Sequence, residues 1–179
     1  MWLARLVAGP RLLLGPARPW WRWPLQAAVA AVLVLALRPA IVAVNAALQL
    51  ESLPRASDPR FMNLLELDPV ARVVRMGLEQ ALWEEWLFRG PPLLCLALVL
   101  ALGWHQRRRV AAGLLVAAVS ILATAAFAAI HIGGGSANVV TAAGVGALQC
   151  VWALASRSVV GPMMFHLAWN AMIALNYSP

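Results

Sequence analysis

Val110-Ala-Ala-Gly-Leu-Leu-Val-Ala-Ala-Val-Ser-Ile-Leu-Ala-Thr-Ala-Ala-Phe-Ala-Ala-Ile130 runs for 21 residues without a charge. About 20 such residues cross the hydrocarbon of a bilayer as a helix. Arg107, Arg108 and Arg109 precede the run, and His131 followed by Ile132-Gly133-Gly134-Gly135 ends it. Beyond it lie two apolar runs of 17 residues, Val139–Ala155 and Val159–Leu175. Before it, Pro91–Trp104 is apolar, and helical character extends back to about Met76. That segment carries Glu79, Glu84, Glu85 and Arg89 inside or at the edge of the membrane. Leu25–Leu50 makes a further span, which Arg38-Pro39 is expected to kink or end early. The fold expected is therefore all-α, a polytopic transmembrane bundle of about five spans.

The whole chain fits that class. Of 179 residues, 63% are hydrophobic and 12% charged, against about 25% charged in a soluble domain. The net charge is +7 with every basic residue an arginine. Cys95 and Cys150 both lie in apolar runs, which suggests neither a disulfide framework nor a Cys-based metal site. The arginines flank spans and form no separate basic domain, so nucleic acid is not an expected partner.

Arginine placement orients the chain. Arg5, Arg11, Arg18 and Arg22 precede the first span, Arg107–Arg109 follow the second, and Arg157 lies between the fourth and fifth. The positive-inside rule puts all three clusters, and the N-terminus, on the cytoplasmic side of the cell (plasma or inner) membrane. Trp20, Trp21, Trp23 and Trp104 read as interfacial anchors. Residues 1–24 then form a basic, Trp-rich cytoplasmic segment, 25–50 the first span, 51–75 a polar loop and 76–179 the functional core. The basic leader is too long and too rich in proline and glycine for a compact signal peptide. His105 beside the arginine cluster reads as solvated, and Gly144 and Gly146 as small residues for close helix contact.

Ionisable residues inside a bilayer cost about 2.5–3.5 kcal/mol each near the centre, which makes them functional candidates. Glu85 and Arg89 stand four apart on a helix, acid first, and should pair. Glu84 lies about 100° round the helix and is left without a local partner; a carboxylate in a poorly solvated site suits a general base working near neutral pH. Phe127 is placed to pack against His131, which alone would read as an interfacial or capping residue. His166 and Asn170 share a face, so their N–H groups suit an oxyanion or, equally, an interhelical hydrogen-bond pair.

In order along the chain, Glu84-Glu85-x-x-x-Arg89, Phe127-x-x-x-His131 and His166-x-x-x-Asn170 resemble three motifs of the CPBP family. These are the CAAX-type proteases and bacteriocin-processing enzymes, also called the Abi family of intramembrane proteases. The resemblance covers about Met76 to Tyr177; the first 75 residues carry none of it. It implies an intramembrane endopeptidase in which Glu84 is the general base for a water that His131 also holds. His166 and Asn170 would stabilise the tetrahedral oxyanion, while Glu85, Arg89 and Phe127 support the site. The implied substrate is a membrane protein or lipid-anchored protein in the bilayer.

Glu84, His131 and His166 could also form a His₂Glu set for Zn²⁺. Binding it would occupy the base and the oxyanion donors, and no HExxH is present, so a metal-free glutamic mechanism without cofactor is favoured. Five spans are fewer than in well-known CAAX proteases, and the site falls nearer the outer face. Small myxosortase-like members, which act on exported C-terminal sorting tails, match that placement. The other classes to weigh are a non-proteolytic immunity or scaffolding protein of the same family and a proton-coupled transporter. The transporter would reuse the same Glu and His as a relay, but no internal repeat supports it.

Overall fold

A computed structural model describes residues 22–52 and 67–175 of the chain. Arg5, Arg11, Arg18, Trp20, Trp21 and Tyr177 lie outside the described residues. Helix α1 spans Arg22–Ala47. A short α2, Pro69–Val73, runs into a π-helical segment, Val74–Gln80, and on into α3, Ala81–Ala101. The four-residue α4, Trp104–Arg107, turns the chain into α5, Arg109–Ala129. A 3₁₀ turn at Ile132–Gly134 leads to α6, Gly135–Ser156, and α7, Val160–Leu175, closes the described fold. No strand occurs among the described residues.

Three segments are long and apolar enough to cross a membrane: Trp23–Ala47, Arg109–Ala129 and Ile132–Ser156. Of the other two expected spans, α3 is 21 residues long but carries Glu84, Glu85 and Arg89, and α7 has 16 residues. The fold is an all-α membrane helix bundle. Its large exposed side chains suit contact with lipid: on α1, Val32 and Leu35 are 65% and 71% exposed, whereas Ala30 and Val34 on the opposite stripe are buried against Phe165 of α7.

Two boundaries differ from expectation. Helix α1 does not end at Arg38-Pro39 but passes through Pro39 to Ala47. The missing proline N–H costs one hydrogen bond, which leaves the remaining ladder of a long helix intact. Helical structure also begins at Pro69 rather than Met76. Asp68 Oδ1 accepts from the N–H groups of Val70 and Ala71 at 2.9 and 3.0 Å, with proline in the first helical turn. That is an N-cap satisfying two orphan donors.

Short connections fix the directions. Helices α5 and α6 are antiparallel neighbours, so Arg109 and Arg157 come to one end of the bundle and His131 to the other. The end of α1 is tied to the start of α6: Glu51 N–H donates to Ser136 Oγ at 2.9 Å, and Ala137 N–H donates to Glu51 O at 2.9 Å. The start of α1 therefore lies at the Arg109 and Arg157 end. His105 and Arg107–Arg109 are exposed, and Cys95 and Cys150 are free thiols.

Candidate active site

The first turn of α3 brings Glu84 and Glu85 to α7, and His166 receives both. His166 Nδ1 lies 2.9 Å from Glu85 Oε1, and its Nε2 lies 3.5 Å from Glu84 Oε2. A carboxylate can only accept, so the proton in the first contact sits on Nδ1. Glu85 also faces Arg89 Nε at 3.3 Å with both side chains wholly buried, the pairing expected from their spacing. Glu84, expected to lack a local partner, faces α7 instead.

Arg89 is held from three sides. Its Nη2 donates to Gln149 Oε1 at 2.8 Å, and Gln149 Nε2 donates to the Pro162 carbonyl at 3.3 Å. Its Cζ sits 4.6 Å from the centre of the Phe127 ring, within cation–π range. The chain Glu85–Arg89–Gln149–Pro162 thus anchors α3 to α6 and α7 at the turn that carries His166. Gln149 was not singled out from sequence, since an amide in an apolar helix is unremarkable until its partners 60 and 13 residues away are known.

Phe127 is the ring around which the site assembles. It meets Phe88 edge-on at 5.4 Å, His131 at 4.7 Å and His166 at 5.9 Å and 90°. His131 Nδ1 lies 2.7 Å from the Phe127 carbonyl. A carbonyl only accepts, so Nδ1 carries the proton and Nε2 is the lone-pair nitrogen of the neutral ring. Asn138 Nδ2 donates to the His131 carbonyl at 3.2 Å and fixes the turn from α5 to α6.

Asn170 makes an interhelical hydrogen bond, one of the two roles expected of it. Its Nδ2 donates to the carbonyl of Met76 in the π-helical segment at 2.8 Å, so one amide N–H is spent on backbone and one remains. Both His166 and Asn170 nevertheless line one cavity of about 540 Å³, together with His131. Glu84 and Glu85 do not line it; Glu84 meets its wall at His166 Nε2, with a side chain 18% exposed. Among the described residues, no group of three or more His, Cys, Asp or Glu is arranged to hold a metal ion.

Gly146 admits this assembly. A Cβ there would lie 2.9 Å from Phe127 Cδ1 and 3.5 Å from Arg89 Nη2, whereas a Cβ on Gly144 would meet nothing within 4 Å. The Phe127 ring cannot swing away, being enclosed by Phe88, Arg89, His131 and His166. We expect Gly146→Ala to destabilise the protein by about 1–3 kcal/mol through overpacking and to lower activity, with Gly144→Ala neutral in both. Thermal unfolding of the two purified variants checks this; equal melting temperatures would refute it.

Residues 66–172 match the family of type II CAAX prenyl endopeptidases described as Rce1-like, which is more than half of the chain. The chain belongs to this family. As an Rce1-like protein it is a multi-pass membrane protein and, at family level, a CAAX-protease-like intramembrane endopeptidase. No curated protein and no solved structure matches it. The match starts after α1, so the helix that packs on α7 and walls the cavity lies outside the Rce1-like region.

Proposed function

We propose that this Rce1-like protein hydrolyses a peptide bond of a membrane-associated or lipid-anchored protein by a glutamic, metal-free mechanism. The observation that carries this reading is the contact of both Glu84 and Glu85 with one imidazole on the wall of a cavity that His131 and Asn170 also line. Glu84 takes a proton from water, which His131 Nε2 helps to hold by accepting its second hydrogen. The resulting hydroxide adds to the scissile carbonyl carbon. His166 Nε2–H, with Nδ1–H held by Glu85, and the second Asn170 N–H donate to the oxyanion. The C–N bond then breaks and Glu84 returns its proton to the leaving amine.

The 3.5 Å contact between Glu84 and His166 Nε2 gives these steps an order. While Glu84 is ionised, it attracts the Nε2 proton. Once Glu84 is protonated by water that attraction falls, just as an oxyanion forms and needs the same donor. Glu85, paired with Arg89, keeps the ring oriented throughout. Residues 76–179 form the catalytic core in this reading, with the N-terminus cytoplasmic and the site near the outer half of a plasma or inner membrane. C-terminal sorting tails of exported proteins are the substrates that suit that placement.

The test compares protein termini by mass spectrometry in membranes from cells carrying the wild-type chain or Glu84→Gln at matched abundance. Termini that vanish in the mutant identify substrate and membrane face. Identical termini, with the same phenotype from both versions, would favour the immunity or scaffolding reading. In purified form, cleavage should survive 1,10-phenanthroline; loss of activity that added Zn²⁺ restores would overturn the metal-free part.

A further inference from the structure

Helix α1 contributes Arg38, Ile41, Val42 and Asn45 to the lining of the cavity. Helix α1 uses one stripe for two purposes. Ala30, Val34 and Leu37 pack toward α7, and the same face continued, at Arg38, Ile41 and Asn45, lines the cavity. These positions repeat at helical spacing, and Arg38, itself an exposed residue, is the one among them that brings a charge to the cavity lining. Asn45 Nδ2 donates to Thr141 Oγ1 at 3.2 Å and sets the register of α1 against the antiparallel α6. Arg38, seven residues earlier, is about 10 Å down the axis, level with the turn of α6 that holds Gln149.

A guanidinium at this depth carries a cost of about 2.5–3.5 kcal/mol unless it is paired or hydrated. Arg89 meets that cost with Glu85 and Gln149. Arg38 is joined to no other described residue by an ion pair or hydrogen bond, and among the described residues the cavity lining includes no acidic side chain. Among the described residues the cavity lining therefore holds a permanent cation and two histidines and no anion.

We infer that Arg38 is a substrate-binding residue that takes a carboxylate of the peptide lying in the cavity. This rests on the proteolytic reading of the site. The planar guanidinium binds a carboxylate through two parallel N–H donors. The carboxylate has two sources, the C-terminus of the substrate or an Asp or Glu side chain, and both present the same group to Arg38. The assignment makes α1 a specificity element, although it lies outside the region matched to the family.

Binding to the full chain in phosphatidylcholine nanodiscs tests this, in the Glu84→Gln background so that peptides stay whole. Three fluorescent dodecanoyl octapeptides of Ala, Leu and Ser serve as probes: a free C-terminal acid, the C-terminal amide, and the amide with one internal Glu. One or both carboxylate peptides should bind at least about ten-fold tighter than the neutral amide, the size of one charge-assisted hydrogen bond. Arg38→Gln should erase that preference and leave the neutral peptide unchanged, while Arg38→Lys keeps part of it. A preference for the acid alone assigns the C-terminus; a preference for the Glu peptide assigns a side chain.

Equal affinity for all three, absence of binding included, overturns the inference, as does a preference that persists in Arg38→Gln. If Arg38→Gln alters only retention of phosphatidylglycerol in mixed discs, the partner is a lipid phosphate and the inference fails. Affinity is read without turnover, so the two readings fail separately. Unchanged termini with an intact charge preference would remove the protease alone; cleavage without a charge preference would remove only the role of Arg38.

Discussion

Purified Glu84→Gln protein should cleave its substrate about 10²–10⁴-fold more slowly than wild type, the contribution of a positioned general base. Glutamine keeps the size of the side chain and an oxygen that can face His166, but it cannot take a proton from water. The loss should fall on kcat, since the base acts on the water and not on the bound peptide. Glu84 is also the less buried of the two acids, its side chain 18% exposed against 0% for Glu85, so the variant should melt close to wild type. A single-turnover assay on folded protein separates the two effects. A variant that retains wild-type kcat would remove Glu84 from the chemistry.

Glu85→Ala should do the reverse and strike the fold. Glu85 and Arg89 are both fully buried, and removing one partner of such a pair leaves a buried charge uncompensated, at about 3–5 kcal/mol. Gln149 and the Phe127 ring would still touch the guanidinium, but neither supplies a negative charge. The loss reaches His166 as well, because Nδ1 gives up its acceptor and the ring can turn. We expect little folded protein in the membrane at 37 °C. Glu85→Gln, which keeps an acceptor for Nδ1–H, should accumulate better than Glu85→Ala while remaining less stable than wild type. Chemical unfolding in detergent gives the comparison; equal stability of Glu85→Ala and wild type would show that the pair does not hold the bundle.

The legible part of this molecule was what local spacing determines. Twenty-one uncharged residues before His131 are a span on length alone, and Glu85 and Arg89 pair because residues four apart share a helix face. The Asp68-Pro69 start was equally available, as a cap followed by proline, although the expected helix began at Met76. What spacing does not carry is contact between distant elements. That His166 would bridge both glutamates across 81 residues, or that Asn170 would spend an N–H on Met76, depends on how α7 lies against α3. Arg38 was read as a break in a span for the same reason. Local rules see the proline beside it and not the cavity in front of it.

The π-helical segment just before α3 acts as a vernier on Glu84 and Glu85. Each residue of an α-helix turns the chain by about 100°, and a π turn, closing over one more residue, resets that angle without breaking the rod. Val74–Gln80 lets the stretch carrying Met76 and Gly77 settle against α7, where Gly77 lies against the tip of the Leu167 side chain. The stretch carrying Glu84 and Glu85 is meanwhile aimed independently at His166. Two docking demands on one continuous helix are thus met at two different azimuths. Length changes within residues 74–80 would therefore act like a rotation of the dial: the bundle could still close, with the wrong carboxylate facing the ring.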